Sequence, residues 1–121
     1  MGYYANIKGE ITARFESDDD RCDAAIALAK ACASLQNVMR IKPQNHGLSL
    51  VFDTTDVRWD GIEEALKKDA IPLLKRHHAR TINGAIEVAS ENPTGDVMPI
   101  LSRLLVEDGR CRTQRGRIVY E

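Results

Sequence analysis

The chain has 121 residues, 43% of them hydrophobic and 29% charged, with 17 Lys+Arg against 18 Asp+Glu and a net charge of −1. That length and composition suit a single domain over residues 1–121 with its own core, and they exclude wholesale disorder. No apolar run approaches the ~20 residues that cross a bilayer, and the balanced charge exerts no general pull on nucleic acid or membrane.

Residues 3–15 alternate without a break. Tyr3, Ala5, Ile7, Gly9, Ile11, Ala13 and Phe15 share one parity, and Tyr4, Asn6, Lys8, Glu10, Thr12 and Arg14 the other. A period of two marks a strand with one face buried and one wet. It reads as a patterned strand rather than a signal peptide. Three cysteines without a CxxC spacing fit a reducing compartment, so the expected location is cytoplasmic.

Ser17-Asp18-Asp19-Asp20 is a helix-start signal, because these side chains accept from first-turn N–H groups and suit the positive end of the dipole. The helix is expected from Asp19 to Leu35, with Cys22, Ala25, Ile26, Ala29, Cys32 and Ala33 on its apolar face, flanked by Leu28 and Leu35. A short strand, Val38–Ile41, and a third, Leu48–Phe52, flank a turn in which Asn45 and Gly47 accept positive φ. Asp53–Asp56 reads as the entry to a second helix carrying Trp59, Ile62, Leu66 and Leu73. Pro72 lacks a backbone donor, which predicts a kink or restart around Asp69–Ile71.

Thr81–Val88 alternates as a fourth strand, and Asn92–Asp96 is a loop. Leu101–Glu107 reads as a fifth strand, although the pattern over Met98–Leu105 also fits a short helix. Asp108-Gly109 is the strongest hairpin signal in the chain and predicts a last strand over Arg110–Tyr120. The order β-α-β-β-α-β predicts an α+β protein with a ferredoxin-like split βαβ: an antiparallel sheet, two helices on one face, and an added C-terminal hairpin.

No catalytic, cofactor or metal constellation stands out, and the expectation is a non-enzyme without cofactors. His77 and His78 are adjacent, so on a helix they point about 100° apart and read better as cations at the negative end of the dipole than as joint ligands. Cys22 and Cys32 lie ten residues apart and read as small core residues. Cys111 sits between Arg110 and Arg112, where neighbouring cations favour the thiolate. Glycine-rich phosphate loops, GxSxG and HExxH are absent.

Charge is uneven along the chain. Residues 75–121 hold 8 Lys+Arg against 6 Asp+Glu, whereas residues 1–74 hold 9 against 12. Arg110, Arg112, Arg115 and Arg117 form a strip without an acid, and a register break at Gly116 would merge them on one face. Such a strip meets phosphates or an acidic protein, or protects an edge strand from strand addition. With Lys75, Arg76 and Arg80, these arginines are the candidate binding residues. RNA recognition motifs stack bases on aromatic rings of their third strand; here Leu48 and Leu50 stand in that stretch.

Met1-Gly2-Tyr3-Tyr4, Gly9-Glu10-Ile11, Asn83-Gly84-Ala85-Ile86-Glu87 and Val106-Glu107-Asp108-Gly109…Arg117-Ile118-Val119-Tyr120 resemble small uncharacterised actinobacterial and phage proteins. Those open with an "MGY…GEI" strand and close with a "DG…IV-aromatic" hairpin; the tryptophan that many carry before the hairpin is missing here. The resemblance implies a domain of unknown function, phage-borne in some genomes, with no catalytic residues carried over. The expected function is therefore non-catalytic binding of a protein partner, such as a host or defence protein. The alternative is nucleic-acid binding through the arginine-rich hairpin. A homodimer, through a sheet edge or the open sheet face, is a further expectation, and no membrane partner is expected.

Overall fold

A computed structural model describes residues 4–90 and 100–116. Its elements are β1 (Tyr4–Arg14), α1 (Asp18–Ala31), a 3-10 turn (Ala33–Leu35), β2 (Met39–Gln44), β3 (Gly47–Arg58), α2 (Trp59–Ala65), a π turn (Leu66–Ala70), α3 (Ile71–Arg76), β4 (Thr81–Ser90), β5 (Ile100–Glu107) and β6 (Arg110–Gly116). The protein is α+β: one antiparallel sheet, in the order β2-β3-β1-β4-β5-β6, under two helical spans. The expected loop Asn92–Asp96, and the ends of the first and last strands, lie outside the described residues.

Alternation in β1 sets the layers. Ala5, Ile7, Ile11 and Ala13 are buried, and Tyr4, Asn6, Lys8, Glu10 and Arg14 are exposed. The buried parity continues through Leu48, Leu50 and Phe52 of β3, Ile82, Ile86 and Val88 of β4, and Leu104 and Val106 of β5. These meet Ala24 and Leu28 of α1, Ile62 of α2, Leu66 of the π turn, and Leu73 and Leu74 of α3 in one core. Burying each such Leu or Ile stabilises by roughly 1.5–3 kcal/mol.

Helix α1 begins as its sequence requires: Ser17 is extended (φ −120°, ψ 148°) and its Oγ accepts from the Asp20 N–H at 3.1 Å. Its buried face differs in part from the expected one. Cys32 and the flanking Leu28 and Leu35 point inward as expected, joined by Ala24, while Cys22, Ala29 and Ala33 are exposed and Ile26 is 57% exposed. Alanines occur all round this helix, so apolar spacing alone leaves its rotation ambiguous; the larger Leu28 decides it. The helix also stops at Ala31, short of Leu35, and the chain tightens into the 3-10 turn.

Asp53–Asp56 is strand, not a helix entry. Strand β3 runs on to Arg58 through a bulge, where Ala5 pairs with Val57 but Ile7 with Thr54. Asp56 takes φ +58°, and its N–H donates to Asn6 Oδ1 at 3.0 Å. In the β2–β3 turn His46, rather than Asn45 or Gly47, has positive φ (+57°). The break predicted by Pro72 falls at Leu66–Ala70, where a π turn accommodates the proline ring that would press on the Lys68 carbonyl. Ile100–Glu107 is strand, which excludes the helical alternative over those residues. Asp108 and Gly109 both have positive φ (+50° and +77°), as a two-residue hairpin turn demands.

Two glycines let the central strands approach closely. Gly9 opposes Ile86, and Gly84 opposes Ile11. A Cβ at Gly9 would lie 2.6 Å from Ile86 Cα and against the Ala85 carbonyl oxygen; one at Gly84 would lie 2.6 Å from Ile11 Cα and against that of Glu10.

Candidate interaction surface

The helices cover one sheet face, and the other presents three rows of side chains across the strands. The middle row is Arg40–Val51–Glu10–Ala85–Leu105–Arg112, each residue opposite the next in register. Beside it lie Asp53–Lys8–Glu87–Arg103–Gln114 on one flank, and Lys42–Ser49–Thr12–Asn83 with the pair Glu107–Arg110 on the other. Val51, Ala85 and Leu105 are half-buried, and arginines end their row at both outer strands. Thr12 Oγ1 and Ser49 Oγ lie 3.3 Å apart, satisfying the one buried polar side chain among the described residues.

This face is cationic in a chain that is not. In the three rows Lys8, Arg40, Lys42, Arg103, Arg110 and Arg112 stand against Glu10, Asp53, Glu87 and Glu107, a net of +2 where the whole chain carries −1. Two pairs offset part of it: Arg103 Nη2–Glu87 Oε1 at 3.1 Å and Arg112 Nη2–Glu107 Oε1 at 3.5 Å. Both are exposed and contribute little to stability.

The candidate residues read from sequence fall in three places. Arg110 and Arg112 share the open face of β6, the outermost strand. Lys75, at the end of α3, lies over the hairpin turn on the other side of the sheet, its Cε 2.5 Å from where a Gly109 Cβ would be. Arg76 is exposed on the same helix end, and Arg80 pairs with Glu16 at 3.1 Å beyond it. Pairing in β5–β6 is regular from Glu107↔Arg110 through Leu101↔Gly116, so among the described residues no register break merges the arginine strip; Arg115 opposes Ser102, on the parity opposite to Arg110 and Arg112. Arg117 lies outside the described residues.

Sequence reasoning named Lys8, Glu10, Thr12 and Arg14 on this face but missed Arg40, Lys42, Arg58 and Arg103. Their common signal is parity opposite to the buried residues of β2, β3 and β5. The same parity corrects the comparison with RNA recognition: Leu48 and Leu50 point into the core, and Ser49 and Val51 occupy the open face of β3. Among the described residues the aromatic ring on this face is Tyr4, 57% exposed at its corner.

Cys111 also departs from expectation. It opposes buried Val106, away from its arginine neighbours, and burial pushes its thiol pKa up despite partial offset by Lys67 and Lys75. Burial, reinforced by Asp69, likewise raises Cys32. No group of three or more His, Cys, Asp or Glu able to hold a metal occurs among the described residues, and no described helix is long and apolar enough to cross a membrane.

No protein-family model matches this sequence, and neither a curated protein nor a solved structure matches the chain.

Proposed function

We propose that this protein is a non-catalytic interaction module that docks an acidic protein partner on its open sheet face. The observation that carries the reading is the cross-strand row in which Val51, Glu10, Ala85 and Leu105 lie between Arg40 and Arg112, within three rows of net charge +2. Arginine is enriched at protein interfaces, and a polar rim around partly apolar groups is their usual anatomy. Six strands at ~4.8 Å and about 8 residues each give a face of roughly 600 Å², close to one side of a standard interface.

The fold reading that goes with it is a ferredoxin-like split βαβ made by β1–β4, α1 and the α2–α3 span, with β5–β6 as the added hairpin. What supports it is the segment β2-β3-β1-β4 of the sheet order and the helix that follows each of β1 and β3. The resemblance of the chain ends extends the proposal to a phage-borne inhibitor of a host or defence protein. Two like-charged faces repel, so a homodimer through this face is not part of the reading. Nucleic-acid binding is the second reading. The same cations favour it, and the lack of stacking rings beyond Tyr4 among the described residues counts against it.

A photo-crosslinking residue introduced at Leu105, in cells of the native host, tests the reading. The expected product is a nuclease-resistant protein adduct whose yield falls as salt rises. An adduct digested by nuclease supports the second reading, and equal yield from a crosslinker at Ile26 on the outer side of α1 contradicts both.

A further inference from the structure

At one end of the sheet, beyond the rows just described, the chain exit of β1, the β2–β3 turn and the entry to β4 border an open depression of about 300 Å³ lined by Arg14, Phe15, His46, Arg80 and Thr81. Main-chain hydrogen bonds fix its walls: Phe15 N–H donates to the His46 carbonyl at 2.8 Å, and Arg80 N–H to the Arg14 carbonyl at 2.7 Å. Arg14 is also the register partner of both Gly47 and Thr81. Two arginine side chains, an imidazole and a hydroxyl thus sit on backbone already held in place, which lowers the ordering cost of binding.

Two carboxylates lie beside Arg80 and His46. Glu16 Oε1 lies 3.1 Å from Arg80 Nη1, and Asp18 Oδ1 lies 3.6 Å from His46 Nδ1. All four side chains are more than half exposed, and exposed pairs of this kind are weak. Hydrogen bonds from two guanidinium groups to a doubly charged phosphoryl oxygen set are much stronger, so such a ligand displaces Glu16. The volume exceeds that of a bare phosphate and lies at the small end of ligand cavities.

We propose that this depression binds a small-molecule phosphate monoester, with Arg14 and Arg80 holding the phosphoryl group, His46 and Thr81 as further donors, and Glu16 as the internal competitor it displaces.

Titration of the amide NMR spectrum with phenyl phosphate tests this, with a phosphoserine pentapeptide as the second arm. Saturable shifts are expected at Arg14–Ser17, His46 and Arg80–Thr81, with tighter binding of phenyl phosphate than of the peptide. R14A/R80A should weaken binding by about tenfold or more, and Glu16→Gln should tighten it. All three side chains are exposed, and the dispersion of the same spectrum reports that each variant is folded. Shifts that never saturate, shifts centred on Arg40, Lys42, Arg110 and Arg112, or unchanged affinity in R14A/R80A would overturn the site. Tighter binding of the peptide would overturn its assignment to a small molecule.

Discussion

The covered and open faces of the sheet are made by the same strands, one residue out of step, and they are built by opposite rules. On the covered face Ile11, Leu50, Ile86 and Leu104 are shielded by Leu28, Leu66 and Leu74 of the helices. On the open face Lys8, Glu10, Arg103 and Arg112 remain in water, and their pairs are exposed. The difference separates two kinds of consequence: a change on the covered face alters folding, whereas a change on the open face leaves folding intact and alters what the protein meets.

Truncating a side chain that shields the covered face is the severest way to break that contrast. Leu66, fully buried in the π turn, should lose about 2–5 kcal/mol on Leu66→Ala, read from a urea midpoint at unchanged slope. Gly84→Ala follows, at about 1–3 kcal/mol, because a methyl there meets the main chain of β1 rather than a movable side chain. A loss as small as that of an ordinary strand alanine would show that β1 and β4 do not approach as described.

His78→Gly sharpens the comparison in the other direction. His78 has φ +68° just past α3, with its N–H on the Lys75 carbonyl and the Ala79 N–H on the Leu74 carbonyl, a helix end that favours glycine. The substitution should stabilise by up to about 1 kcal/mol without touching the core. Smallest of all is Arg103→Ala on the open face, which should shift stability by no more than about 0.5 kcal/mol, since its pair with Glu87 is exposed and screened.

How much of this was legible in the sequence follows from the range of each signal. The alternation of β1 and the Asp108-Gly109 turn are local patterns, and both appear where they were read. The break before Pro72 is local too. The rotation of α1 is not, because its alanines fit several faces and only contact with the sheet selects Leu28. The extension of β3 through Asp53–Asp56 depends on Asn6, which accepts a hydrogen bond from fifty residues away. The candidate surface was half legible for the same reason. Lys8 and Arg14 declare themselves within one strand, but Arg40, Glu10 and Arg112 fall in one row only through the register of five strand pairs.

The most direct test of the division between the faces is crosslinking yield from position 105 in the double variant Arg40→Glu, Arg112→Glu, measured on protein whose urea midpoint matches the parent. Loss of the adduct at unchanged stability is the predicted result. An undiminished adduct would show that the arginine-ended row does not carry recognition.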